Sequence, residues 1–308
     1  GGAAPFRNGG EARYVDTLAY ALYRREVYDR VGLYDERLRR TEDNDMHYRM
    51  RKAGYRFYFS PDIVFSGLKN YKQLLADGII LKGLKNTLVF AILTVSIQSL
   101  ISLPVSVLLN SKLRGRTIYR GIFFAPAVLS TLVVGYLWKY ILSASDYGLI
   151  NQVLLKMGFE KINFLGNGKI AIFSIIAISV WQWFGWSMVI YIGSLQSISG
   201  DLYEAASVDG ANSWQQFWHI TLPGLAPAIK INFVTSTISG LKVFDLVLST
   251  TNGGPAHQTE TILTLMYSKF SDGNFGYASA FGIVFLLMTM VVSAVMLGIF
   301  KKWEEYLN

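Results

Sequence analysis

Long uncharged stretches dominate the chain beyond about residue 65. Residues 87–109, 121–138 (continuing past Lys139 to Leu142), 170–200 and 273–300 contain no Asp, Glu, Lys or Arg. Residues 223–248 are also apolar but are interrupted by Lys230, Lys242 and Asp245. A helix that crosses a bilayer needs about 20 mostly apolar residues, so the pattern predicts five transmembrane helices. Residues 1–64 follow another pattern. A helix over 24–31 is closed by Gly32, Thr41 caps a helix over 42–53 with Gly54 behind it, and 55–59 forms a strand stopped by Pro61. The expected fold class is an all-α polytopic membrane protein with a small α/β-like N-terminal fragment, the domains being 1–64 and 65–308.

Composition sharpens the division. Of 308 residues, 52% are hydrophobic and 16% charged, an apolar excess that excludes disorder and an ordinary soluble domain. Residues 1–64 nevertheless hold 12 of the 29 Lys+Arg and 10 of the 21 Asp+Glu. There is no Cys, which excludes disulfides, thiolate metal sites and a Cys nucleophile. His47, His219 and His257 are far apart, so no histidine metal site is expected. The net charge of +8 resides mainly in short loops and at the C-terminus of the apolar part, a topology signal rather than a nucleic-acid patch. Lys112, Arg114, Arg116 and Arg120 mark the first inter-span loop as cytoplasmic. Alternation then places 143–169 outside, 201–222 inside, 249–272 outside and the C-terminus, with Lys301 and Lys302, inside. Because this puts residue 86 outside, a topogenic segment is expected ahead of Gly67 that 1–64, Arg-rich and without an apolar signal, does not supply.

The segment between the third and fourth spans carries its own helix punctuation. Asp201 with Glu204 forms a capping-box-like start, Ala205 and Ala206 favour helix, and Gly210 stops it. Ser213 with Gln216 opens a second helix that Pro223 limits. The product is a short helix–turn–helix whose small residues admit a partner groove, with Trp214, Phe217 and Trp218 as apolar anchors. Glu204-Ala205-Ala206, then Asp209-Gly210-Ala211, Phe217, Ile220, Leu222-Pro223 and Pro227, resembles the EAA loop of ABC importer permeases. The segments 67–75 and 84–88, the basic loop 110–120, 147–151, 162–165, Thr251-Asn-Gly-Gly-Pro255 with 259–261, and 302–306 resemble carbohydrate-uptake permeases of the maltose and glycerol-phosphate type. The resemblance spans about 65–308 and lacks the family's first span. It implies a permease subunit in the bacterial cytoplasmic membrane. The expected partners are a second permease subunit, an ATP-binding cassette ATPase dimer that holds ATP and Mg, an extracytoplasmic solute-binding protein and the lipid bilayer. It also implies that Glu204, Ala205, Ala206, Asp209, Gly210, Leu222 and Pro223 couple to the ATPase. The chain has no phosphate-binding G-x-x-x-x-G-K-[ST] loop, so no cofactor of its own and no ATP hydrolysis are expected.

Two membrane segments carry groups suited to a polar solute. Trp181 to Trp186 offers Gln182, Trp183 and Trp186, which suit stacking and hydroxyl contacts and equally suit an aromatic belt or packing. The fourth span offers Ser236, Ser239, Gly240, Lys242 and Asp245, and the last two, three residues apart, are expected to pair on one helix face. The resemblance selects both segments as the family's sugar-contact regions. Residues 24–36, 41–45, 48–54 and 58–63 resemble the acceptor-side end of family-two glycosyltransferases, where Glu42-Asp43 would supply Asp43 as base. The nucleotide-sugar half is absent. The reading is therefore a join of two unrelated coding pieces near 63–67 with an inactive fragment ahead, the alternative being a membrane-associated glycosyltransferase fragment.

Overall fold

A computed structural model of the chain describes residues 13–15, 48–50, 52–54, 57–59, 68–111 and 113–307. They belong to two compact units, Gly1–Gly67 and Leu68–Asn308. In the first, β1 (Arg13–Val15) pairs antiparallel with β2 (Phe57–Phe59), Tyr14 opposite Tyr58. Met50 is buried, and Gly54, at φ +88°, ends a helical turn ahead of β2. The expected helix over 24–31 and the Glu42-Asp43 pair lie outside the described residues.

The second unit is helical. It opens with α1 (Lys69–Ala76) and α2 (Gly78–Asn110). A basic link leads to α3 (Arg116–Val128) and α4 (Thr131–Ile141), then α5 (Leu149–Lys156) and α6 (Ala171–Leu195). α7 (Gly200–Val208) and α8 (Ser213–Gln216) run into a π-helical turn, Phe217–Thr221, and α9 (Leu222–Gly224). α10 (Ala226–Leu241), α11 (Asp245–Thr250), α12 (Ile262–Ser271) and α13 (Phe275–Leu307) complete it.

Among the described residues, three helices are long and apolar enough to cross a bilayer: Gly78–Asn110, Ala171–Leu195 and Phe275–Trp303. The sequence expects five continuous spans, and two of the expected ones are broken. The stretch 121–142 is split into α3 and α4, which meet at a bend of 99°. The stretch 223–248 becomes the 16-residue α10, an irregular link at 242–244 and the short α11. Hydropathy measures how apolar a segment is, not whether its backbone is continuous, so both breaks pass unseen in the pattern.

Each break is closed by a side chain from elsewhere. A carbonyl freed inside an apolar interior costs several kcal/mol if unpaired, about the magnitude that excludes loose backbone from lipid. At the α3–α4 bend the Gln182 amide donates to the carbonyl of Leu129 at 3.1 Å and to Thr131 Oγ1 at 3.4 Å. At the α10–α11 break Thr261 Oγ1 donates to the carbonyl of Val243 at 3.1 Å. Thr261 is held in turn by a capping box with Thr264 at the start of α12. The loop before it is tied to α2, where Asn86 Nδ2 donates to the carbonyls of Gln258 and Glu260 and Lys82 Nζ to that of Ala256, each at 2.9 Å.

α6 is the centre of the unit, buried along most of its apolar length, whereas the apolar middle of α13 is largely uncovered and lies on the periphery. α2 and α3 pack along α6, and α4 along α11. α2 buries polar residues as readily as apolar ones and exposes mainly apolar ones. Thr87, Thr94, Gln98, Ser99, Ser102 and Ser106 are buried, while Ile92, Leu100 and Leu108 are exposed. That distribution suits a bilayer, where lipid is as apolar as Leu and helices are held together by close packing and hydrogen bonds. Ser106 Oγ donates to the carbonyl of Leu103 beside Pro104, which the helix tolerates about two turns before its end. Beyond α4, Lys161 donates to Asp146 at 2.5 Å and holds that exposed carboxyl below the usual carboxylate range.

At Gly185 the backbones of α3 and α6 meet so closely that a Cβ would fall on the carbonyl of Phe123. Gly193, two turns along the same helix, has open space around it. Gly185→Leu is therefore expected to destabilise the folded chain by about 1–3 kcal/mol or more through overpacking. Gly193→Leu should be near neutral. Thermal unfolding of the two variants in detergent checks the contrast.

Candidate functional site

Two places gather the residues singled out by the sequence: a surface hairpin built by α7 and α8, and a cavity enclosed by α2, α6 and the α10–α11 break.

The hairpin is organised by its caps. Ser199, not Asp201, caps α7, accepting from the Asp201 N–H at 3.3 Å, and Asp201 sits in the first turn where the helix end is positive. Gly210, at φ +83°, reverses the chain, and the Ala211 N–H returns to the carbonyl of Ala206 at 2.9 Å. The second helix starts one residue earlier than the sequence expects, with Asn212 and Gln215 forming a reciprocal capping box at 2.8 and 3.0 Å. Asn212 is the N-cap because its Oδ1 accepts from the backbone N–H of Gln215, the third residue of the helix. Gln216 Nε2 crosses the hairpin to Ser207 Oγ at 2.9 Å and the Ala211 carbonyl at 3.2 Å. The Tyr203 and Thr221 hydroxyls meet at 3.0 Å.

Between the two limbs lies an open groove of about 330 Å³ lined by Ala206, Asp209, Gly210, Gln215, Gln216 and His219. Glu204, Ala205 and Asp209 are exposed, and Trp214 (69% exposed) stacks on Phe217 and meets Trp218 edge-on. Leu222 and Pro223 stand apart from the groove. Leu222 packs half-buried against the core cluster that includes Tyr191, Leu225 and Phe300. Pro223 does not end the helix: it lies in the first turn of α9, where a missing N–H costs nothing. The chain thus runs from the hairpin through the π turn and α9 to a turn at Leu225 and on into α10.

The cavity has a volume of about 620 Å³. The structure brings Trp183, Trp186, Ser236, Ser239, Gly240 and Lys242 together on its wall. Gln182 is not among them. It is fully buried and spends its amide on the α3–α4 bend, with Oε1 unpaired. Lys242 and Asp245 both face the cavity but form no ion pair with each other, contrary to the expected pairing. The helix ends at Lys242 and resumes at Asp245, so the three-residue spacing no longer places them on one face. Each instead suits the helix end it occupies, the cation at a C-terminus and the anion at an N-terminus.

Sequence reasoning passed over α2, which contributes Phe90, Thr94 and Gln98 to the same wall. The signal was present as polar positions spaced three or four apart inside an uncharged run. Behind the wall lies a buried polar chain. Ser187 Oγ donates to Asn232 Oδ1 at 2.8 Å and Asn232 Nδ2 to the Tyr191 hydroxyl at 2.7 Å, joining α6 to α10. No group of three or more His, Cys, Asp or Glu able to hold a metal occurs among the described residues.

Residues 80–304 match the family described as binding-protein-dependent transport system inner membrane component. The chain is 34% identical over 252 residues to the probable ABC transporter permease protein YurN of Bacillus subtilis, covering 80% of this chain and 86% of that protein. It is 33% identical over 242 residues to the multiple sugar-binding transport system permease protein MsmF of Streptococcus mutans, covering 78% and 82%. It superposes with a TM-score of 0.72 on a chain of a bacterial alginate ABC transporter solved in complex with an alginate pentasaccharide-bound periplasmic protein. That match is at 23% identity and covers 78% of this chain and 84% of that one.

Because Gln182 secures the bend, Gln182→Leu is expected to cost about 1–3 kcal/mol of stability by stranding the Leu129 carbonyl. The apparent KM for solute should be unchanged in whatever protein folds. Thermal unfolding beside transport kinetics separates the two effects.

Proposed function

Since this chain belongs to the binding-protein-dependent transport system inner membrane component family, we propose that it is the permease subunit of an ATP-binding cassette importer that carries a sugar or oligosaccharide across the cytoplasmic membrane. It is a multi-pass membrane protein and not an enzyme, ATP with its Mg being hydrolysed on a partner subunit. The carbohydrate cargo is supported by relatives named for sugar transport and by a cavity that combines indole faces with hydroxyls.

The observation that carries the proposal is mechanical. The α7–α8 hairpin presents an open groove and exposed acids and aromatics at one end. At the other end it leads, through the π turn, α9 and a turn at Leu225, into α10, a wall of the 620 Å³ cavity. A partner gripping Glu204, Ala205, Ala206, Asp209 and Gly210 would pull on α10 directly. The partners are an ATPase dimer at this hairpin, a second permease that completes the pathway and an extracytoplasmic binding protein. We place Lys112, Arg114, Arg116, Arg120, Lys301 and Lys302 on the cytoplasmic side with the C-terminus, and read α3–α4 and α10–α11 as two broken spans that bring the total to five. Aromatic and hydroxyl groups of Trp183, Trp186, Ser236 and Ser239 form the solute path, with Gly240 and Lys242 at the break. The family match begins at residue 80 and lends nothing to a glycosyltransferase reading of 1–64.

Two substitutions test the parts separately. Gly210→Val forces a β-branched residue to φ +83° in an otherwise open position. It is expected to abolish uptake and co-purification of the ATPase while the chain still inserts. Trp183→Ala is expected to keep the complex intact and raise the apparent KM for sugar about ten-fold, roughly 1.4 kcal/mol. Uptake assays beside pull-down of the ATPase measure both. A Gly210→Val chain that still carries its ATPase and transports would overturn the coupling role.

A further inference from the structure

The cavity has a wall that neither the sequence motifs nor the broken helix accounts for. Phe90, Thr94 and Gln98 lie four residues apart on one face of α2, and all three line it. Thr94 is 4% exposed, and its Oγ1 is buried with no hydrogen-bond partner. A buried hydroxyl without a partner is unfavourable by about 1–3 kcal/mol, so its persistence at a cavity edge points to a missing partner.

Gln98, also 4% exposed, is oriented by what lies behind it. Its Nε2 donates to Ser187 Oγ at 2.5 Å and to the backbone carbonyl of Trp183 at 3.3 Å. A carbonyl only accepts, so the amide nitrogen must face Trp183 and the amide oxygen is left over. Ser187 passes its own proton to Asn232 Oδ1, which also accepts from Ser236 Oγ at 3.3 Å. Asn232 Nδ2 donates to Tyr191, whose hydroxyl donates to Ser99 Oγ at 3.5 Å. Both Gln98 amide protons and the Ser187 and Tyr191 hydroxyl protons are thus spent on internal partners. Gln98 Oε1, which takes no hydrogen bond among the described residues, is the acceptor left at the cavity.

We infer that Thr94 and Gln98 form a hydroxyl-reading wall of the solute site. Gln98 Oε1 accepts from one hydroxyl of a neutral polyhydroxyl solute, and Thr94 Oγ1 bonds a second hydroxyl of the same ring. Asn232, Ser187 and Tyr191 act as positioning residues that fix the Gln98 amide. The inference rests on the carbohydrate-importer reading and adds to it where on the chain individual hydroxyls are discriminated.

The test uses the assembled importer in membrane vesicles and radiolabelled maltose, trehalose, lactose and raffinose. A sugar taken up by the wild type is then compared with its monodeoxy analogues. For at least one hydroxyl the wild type should prefer the parent by roughly three- to ten-fold in KM, the worth of one neutral hydrogen bond. In Thr94→Val and in Gln98→Leu the preference at the corresponding hydroxyl should fall to about one, with ATPase stimulation retained, and Thr94→Ser should restore it. If Gln98→Leu fails to assemble because Ser187 and Asn232 lose their partner, Thr94→Val alone decides, since Oγ1 makes no internal bond. Parent-to-deoxy ratios unchanged at every position in the variants that assemble overturn the wall. Failure of the wild-type importer to take up any sugar of the panel instead overturns the carbohydrate reading, and this inference with it.

Discussion

The structure depends on one requirement: backbone groups freed inside an apolar interior must be given a partner. A continuous helix without proline meets it automatically, and α6 and α13 do so. The two broken elements meet it with borrowed side chains. Leu129 receives Gln182 from α6, and Val243 receives Thr261 from the start of α12. These two bonds let the backbone turn aside within the membrane part. The turn at 242–244 opens the space that becomes the cavity. Architecture and cavity therefore share a cause, and a residue that looked like a ligand for cargo, Gln182, serves the architecture instead.

Close approach does the rest. Gly185 lets α3 lie on α6, and at Gly135 a Cβ would fall on Ser249 Oγ, so α4 and α11 share the same intimacy. Where helices are this near, short polar side chains reach across, and the Gln98–Ser187–Asn232–Tyr191 chain joins three of them. Such contacts are favourable mostly because the alternative inside hydrocarbon is an unpaired polar group. They hold the cavity wall in one arrangement more effectively than aliphatic packing, which tolerates sliding.

Much of this was legible in the sequence. The uncharged runs at 87–109, 170–200 and 273–300 correspond to the three long apolar helices, because length and apolarity are the quantities hydropathy reads. The hairpin was legible from Gly210 and the Ala pair, although its caps are Ser199 and Asn212 rather than Asp201 and Ser213. Competing N-cap residues one or two positions apart are not separable by pattern alone. The breaks were not legible, since an interrupted apolar run and a continuous one have the same composition. Nor was the role of Gln98 or Asn232: one amide in an apolar segment gives no hint whether it faces cargo, a bend or another helix. Trp183, Trp186, Ser236 and Ser239 were picked out by residue type, and the structure sets them around a single cavity.

The wide turn at Phe217–Thr221 has a consequence of its own. A π-helical turn holds one residue more than the α-helix on either side, which offsets the angular phase of α10 from that of α8 by roughly 100°. The face that the hairpin exposes and the face that α10 turns to the cavity therefore differ in angular phase. The open groove and the cavity wall are thus shaped by separate stretches of one short run of chain.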